Sequence, residues 1–233
     1  MKNSKKFSNL EQALGIAFKN KDLLTQAFLH RSYLNENTSL GLQHNERLEF
    51  LGDAVLELVV TDHLYHTFPS KPEGELTAFR AALVNTISIS DIAKSLGFED
   101  YLLLSKGETK DTGKARQYIL ANTFESFVGA LYLDSGYAAA QAFIQSHLFP
   151  TLDGIISKSL WRDAKSFVQE QAQEIESVTP SYKVIRESGP DHDKVFTVGI
   201  FFGQKQIAEG SGSSKQEAEQ EAARKALEAK GWK

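Results

Sequence analysis

The sequence contains no cysteine in 233 residues, which excludes disulfides, thiolate-bound zinc and cysteine nucleophiles. No apolar run approaches the roughly 18 residues that a membrane span needs. The basic start MKNSKKFSNLEQALG has no apolar stretch behind it, so the sequence predicts no secretory signal, no membrane association and a cytoplasmic location. Excess positive charge is lacking too: 26 Lys and Arg face 30 Asp and Glu, a net −4. Residues 1–162 and 163–233 each carry −2, so neither part coats a polyanion by bulk charge, and any nucleic-acid contact must come from a local patch. What remains is ordinary for a globular chain. A hydrophobic content of 41% and a charged content of 24% exclude wholesale disorder, and the length suits one or two domains.

The pattern changes character along the chain. From Leu10 to about Ile156 apolar residues recur at three- and four-residue spacing through EQALGIAF, KDLLTQAFLH, RLEFLGDAVLELVVTDHLYHTF, ELTAFRAALVNTISISDIAKSLG, YILANTFESFVGALYLDSG and YAAAQAFIQSHLF, the helical period. Breaks fall at Gly41, Pro69–Gly74, Ser105–Gly113 and Gly136. From Asp163 the order becomes helix, three strands, helix. Ala164–Ile175 places Phe167, Val168, Ala172 and Ile175 on one face; SYKVIRES, KVFTVGIFFG and KQIAEGSG are strands; Ser213–Lys230 is a helix with a small-residue face of Ala218, Ala222, Ala223, Ala226 and Leu227. The sequence therefore predicts a multidomain protein, with an all-α domain over 1–156, a linker at 157–162 and a small α+β domain (α-β-β-β-α) over 163–233.

The first chemical signal lies in HNERLEFLGDAVLELVV. Glu46, Glu49, Asp53 and Glu57 fall at i, i+3, i+7 and i+11, an arc of roughly 80° on a helix. A carboxylate stripe is usually a solvated face. Here Leu48, Leu51, Ala54, Val55, Leu56, Leu58 and Val59 occupy most other directions, so the helix is expected to be largely enclosed. Enclosed carboxylates repel one another and lose hydration unless a cation compensates. Oxygen donors without cysteine favour a hard cation such as Mg2+, with Mn2+ as a substitute. Asn122 and Glu125, at i and i+3 of a second mostly apolar helix, are a weak signal alone but complete an oxygen cage if that helix faces the first. Glu73, in KPEGELT, reads equally well as an auxiliary carboxylate or as a helix-start residue.

The run HNERLEFLGDAVL resembles the signature of the ribonuclease III family, and the rest of the chain follows that family's order. HRSY at 30–33 precedes it, PEGELT with Arg80 follows, and LSKGE at 104–108 leads into ILANTFESFVGALYLD. The C-terminal part resembles a double-stranded-RNA-binding domain through the helix around Phe167–Gln169, GPDHDKVF and GSGSSKQEAEQEAA. The resemblance implies a homodimer of all-α endonuclease domains that cleaves double-stranded RNA with Mg2+ and water, leaving 5′-phosphates, in ribosomal- and messenger-RNA precursor processing. It implies catalytic roles for Asp53 and Glu125, metal ligation by Glu49, Asp53, Asn122 and Glu125, and acidic rim positions for Glu46 and Glu73. Phe50 falls at a dimer-interface position; ordinary core packing is its alternative.

Two positions depart from the family pattern. Asn122 stands where Asp is usual, so an amide oxygen replaces a charge and the Mg2+ requirement is expected to rise. GKAR at 113–116 stands where Gly-Gly-Arg is more common. In the C-terminal part the resemblance implies minor-groove contacts from Gln169 and His192, and phosphate contacts from Ser213, Ser214 and Lys215 at a helix start. Read alone, His192 is a solvated loop histidine and Lys215 a helix-flanking charge. Gln216 and Glu219 occupy positions where many such domains carry Lys or Arg, so this module is expected to bind weakly and with salt sensitivity. Two alternatives stay open: a duplex-RNA-binding protein of the same fold that has lost its chemistry, supported by Asn122, and a helical scaffold whose acidic stripe is a salt-bridged interface.

Overall fold

A computed structural model describes residues 2–37, 43–110, 112–157, 161, 163–190 and 194–232, with residues 2–6 as backbone. The chain divides into two compact units, Met1–Lys158 and Ser159–Lys233.

The first unit is helical: α1 (Lys2–Leu14), α2 (Lys21–Ala27), α3 (Arg31–Glu36), α4 (Glu46–Thr67), α5 (Glu73–Leu83), α6 (Thr86–Ser95), α7 (Lys114–Ser135), α8 (Tyr137–His147) and α9 (Leu152–Ser157). Helix α7 is the hub. It is buried in nearly every direction from Ile119 to Leu131, because α2, α4, α6 and α8 all pack on it. Its Phe124 and Phe127 join Phe28, Phe98 and Phe143, with ring centroids 4.9–6.4 Å apart. Such a cluster is a dominant stabilising element, since truncating one buried Phe typically costs about 3–5 kcal/mol.

Three sequence expectations change here. The stretch 75–97 is two helices, not one. Asn85 adopts an extended conformation, its Oδ1 accepts from Ser88 N at 2.9 Å, and its amide donates to Ala82 O at 2.8 Å. It thereby closes α5 and caps α6, a competition with the helix that asparagine side chains win readily. EQALGIAF is likewise interrupted, since α1 ends at Leu14 before Gly15 at φ 65°. Helix α4 is enclosed on one side only. Leu48, Gly52, Val55, Leu56, Val59, Val60 and Leu64 are buried, whereas Phe50, Leu58 and Tyr65 are exposed.

The second unit runs α10 (Ala164–Glu176), β1 (Pro180–Ser188), β2 (Val195–Phe202), β3 (Lys205–Gly212) and α11 (Lys215–Lys230). The antiparallel sheet has the order β1-β2-β3. Val198, Ile200 and Phe202 are buried, on the sheet face that the two-residue period turns towards the helices. There Ile200 and Phe202 meet Val168 and Ala172 of α10 and Ala222, Ala223 and Ala226 of α11. The alanine face of α11 lets the helix sit directly on the strand: a Cβ at Gly210 would fall 2.2 Å from Ala222 N. Ile175 departs from the expected face and is exposed, because the buried seam of α10 runs through Val168 and Ala172 and ends a turn earlier.

Candidate active site and nucleic-acid interface

The start of α4 is fixed by Asn45, which is buried. Its amide donates to Ala27 O at 3.2 Å, its backbone N–H donates to Leu29 O at 2.9 Å, and its carbonyl accepts from Ser126 Oγ at 3.3 Å. Helix α4 is thereby tied both to the end of α2 and to α7. The two helices then cross at a pair of glycines. A Cβ on Gly52 would lie 1.7 Å from Glu125 O, and one on Gly129 would lie 2.2 Å from Leu48 O. No side chain fits between these backbones. Glu49 and Asp53 lie one turn before and one residue after Gly52 on one helix, and Asn122 and Glu125 lie two turns and one turn before Gly129 on the other, so the close crossing brings all four together.

At this crossing the side chains act on one another's charge. Burial pushes the Glu49 carboxyl above the usual glutamate range, the charges of Glu46 and Asp53 push it the same way, and a hydrogen bond from the Asn122 side chain opposes them. Glu125 is pushed up to about 8, first by burial and then by Asp53 and Glu49. Asp53 itself is exposed. The cluster thus joins a half-buried carboxyl to a solvent-facing one, with an amide donor opposing the shift of a third. Among the described residues no group of three His, Asp or Glu side chains is drawn into metal-enclosing geometry.

The remaining acidic candidates have partners of their own. Glu46 is exposed at the helix start, 3.7 Å from Arg31 Nη1 and from His44 Nδ1. Glu57, the last of the stripe, is neutralised by Arg80 at 3.0 Å, and Arg80 also donates to Thr61 Oγ1 at 3.0 Å. Glu73 opens α5, where its Oε1 accepts from Thr77 Oγ1 at 3.0 Å. It lines a groove of about 420 Å³ with Thr61, Leu64, Tyr65, Lys71, Leu76, Thr77 and Arg80. No described contact joins it to Glu49, Asp53 or Glu125. Phe50 is 82% exposed on α4, which excludes core packing within one chain. The Asn45 anchor and the Gly52–Gly129 crossing were not anticipated; the only sequence signal was one glycine inside each apolar helix.

In the second unit Gln169 is exposed on α10, and His192 lies outside the described residues. Ser214 caps α11, its Oγ accepting from Glu217 N at 3.1 Å. Ser213 donates from N and Oγ to Glu217 Oε2 at 2.9 and 2.6 Å, a capping arrangement. Lys215 Nζ lies 3.7 Å from Glu187 Oε1, and Lys194 Nζ lies 3.2 Å from Glu187 Oε2.

Both units resemble known proteins. Residues 20–152 match the family Ribonuclease-III-like, and residues 164–230 match the double-stranded RNA binding motif. The chain is 45% identical over 222 residues to Ribonuclease 3 of Borreliella burgdorferi, covering 95% of this chain and 90% of that protein. It is 46% identical over 221 residues to Ribonuclease 3 of Enterococcus faecalis, covering 94% and 95%. A solved nuclease domain of ribonuclease III from Campylobacter jejuni, from work on flexibility in a region involved in its dimer formation, superposes with a TM-score of 0.54. That match has 42% identity and covers 60% of this chain and 96% of that one. By these matches and by the helical architecture that carries the four oxygen-bearing side chains, the chain belongs to the ribonuclease III family of double-stranded-RNA endoribonucleases.

Proposed function

We propose that this endoribonuclease is a Mg2+-dependent cytoplasmic homodimer that hydrolyses phosphodiester bonds in duplex RNA to 5′-phosphate products, acting on ribosomal- and messenger-RNA precursors. The observation that carries the metal-dependent chemistry is the carboxylate cluster at the Gly52–Gly129 crossing, with Glu125 held at about 8 by burial, Asp53 and Glu49. The donor set fits a hard divalent cation: Glu49, Asp53, Asn122 and Glu125 all offer oxygen, and a cation among them would offset the burial and the like charges that raise Glu49 and Glu125. When bound, such an ion supplies an activated water and positive charge against the phosphoryl oxygens.

The side chains divide the remaining work. Asp53, exposed, presents its carboxylate towards solvent and substrate, while Glu125 keeps its carboxyl largely out of bulk water. Asn122 holds Glu49 through its amide hydrogens, leaving its oxygen as the neutral donor. Assembly as a homodimer is supported by Phe50, Ala54, Leu58 and Tyr65, all exposed on α4, an apolar strip that one chain leaves uncovered.

The test is Glu125→Gln assayed in parallel for cleavage of end-labelled duplex RNA with Mg2+ and for duplex binding in chelator. Cleavage is expected to fall at least about 1,000-fold with binding retained. Full cleavage by the variant would overturn the site assignment.

A further inference from the structure

We propose that Glu187 is a built-in competitor for RNA phosphate, and that Lys194 and Lys215 form a two-lysine phosphate clamp which the duplex enters by displacing that carboxylate. The proposal rests on the duplex-binding reading of the second unit and names Lys194 as a contact beyond those the sequence pattern nominates.

Three elements build the cluster. Glu187 lies near the end of β1, directly across from Phe196 of β2, which in turn pairs with Gly212 at the end of β3. Lys194 immediately precedes β2 and Lys215 opens α11. One carboxylate serves both ammonium groups, Oε2 at 3.2 Å from Lys194 and Oε1 at 3.7 Å from Lys215. Both lysines also lie over the Phe196 ring, 5.9 and 5.6 Å from its centroid. An aromatic floor with two cations converging on one anion is a receptor for a tetrahedral oxyanion as much as for a carboxylate.

The alternative role, stabilising the fold, is a weak one. Glu187 and Lys194 are each 37% exposed and Lys215 is 59% exposed, and ion pairs so open to water contribute little to stability. A carboxylate kept there at small structural benefit instead lowers the charge available to RNA. The weak binding expected of an acidic domain then has a local cause.

The experiment is fluorescence-anisotropy titration of a labelled RNA duplex with the full chain in chelator, where cleavage is blocked. Glu187→Gln is expected to tighten binding about 3- to 5-fold at low salt, the gain fading as KCl rises. Lys194→Ala and Lys215→Ala are each expected to weaken binding, and the Glu187→Gln gain to shrink when both lysines are removed. Glu228→Gln makes the same charge change about 20 Å further along α11, beyond the ~10 Å screening length, and is expected to have little effect. Unchanged or weaker binding by Glu187→Gln, or an equal gain from Glu228→Gln, would overturn the proposal while the wild type still binds. A wild type that binds no duplex would overturn the duplex-binding reading along with it.

Discussion

Glu125 is the residue on which burial and like charge act together, and the consequence is measurable without substrate. Its folded-state value of about 8 lies above the ordinary glutamate value of 4.5. Stability linked to this carboxyl is therefore complete below about 4.5 and is lost as pH rises through about 8. In chelator, Glu125→Gln, which does not titrate, is expected to melt several degrees above the wild type at pH 8, with the gap closing towards pH 5. Thermal unfolding at the two pH values measures this; a constant offset would contradict it. Asn122→Asp acts in the opposite sense, replacing the donor on Glu49 with a fourth negative charge. The metal-free protein is expected to lose stability and its cleavage to need a few-fold less Mg2+. At this scale the sequence was partly legible. Spacing alone grouped Glu46, Glu49, Asp53 and Glu57, but it could not separate Glu49 and Asp53, whose charges act on Glu125 of α7, from Glu57, which Arg80 neutralises. That distinction depends on a partner 23 residues away in sequence.

Elements position the chemistry through backbone proximity. Gly52→Ala would set a Cβ 1.7 Å from Glu125 O, and Gly129→Ala one 2.2 Å from Leu48 O. Neither backbone can yield as a flexible side chain would, so each substitution is expected to cost about 3 kcal/mol and to abolish cleavage by spreading α4 from α7. Denaturant unfolding and duplex cleavage check both effects; wild-type stability in either variant would show that the crossing is not tight. The periodicity identified α4 and α7 as helices because their apolar spacing is strong. It did not give their contact, since a lone glycine in a helix carries no partner's address. The boundary at Asn85 was missed for a related reason: Leu83 and Val84 continue the apolar rhythm, and only the asparagine's own hydrogen bonds reveal the break. In the second unit the strands were legible from their β-branched and aromatic runs, while the exposure of Ile175 was not, because helical periodicity does not say where a sheet ends.

For the whole molecule, an acidic chain must hold an acidic substrate, and two features resolve the conflict. Lys194 and Lys215 converge beside Phe196, and the apolar strip on α4 offers a route to doubling the binding surface. Phe50→Asp is expected to halve the solution mass by light scattering and to suppress paired cleavage of the two strands, leaving the helical content of each chain intact. An unchanged mass beside a dimeric wild type would place the contact elsewhere, and a wild type of monomer mass would overturn the proposed dimer. The proposed metal requirement is the central claim of the catalytic reading. The direct measurement is Mg2+ titration of end-labelled duplex RNA cleavage by the chain as it stands, beside Asn122→Asp. Short products that appear only with Mg2+, at lower concentrations for the Asp variant, are the expected result. A duplex that is bound but uncut at every Mg2+ concentration, while the Asp variant cleaves, would show instead that Asn122 leaves this chain a binding protein without chemistry.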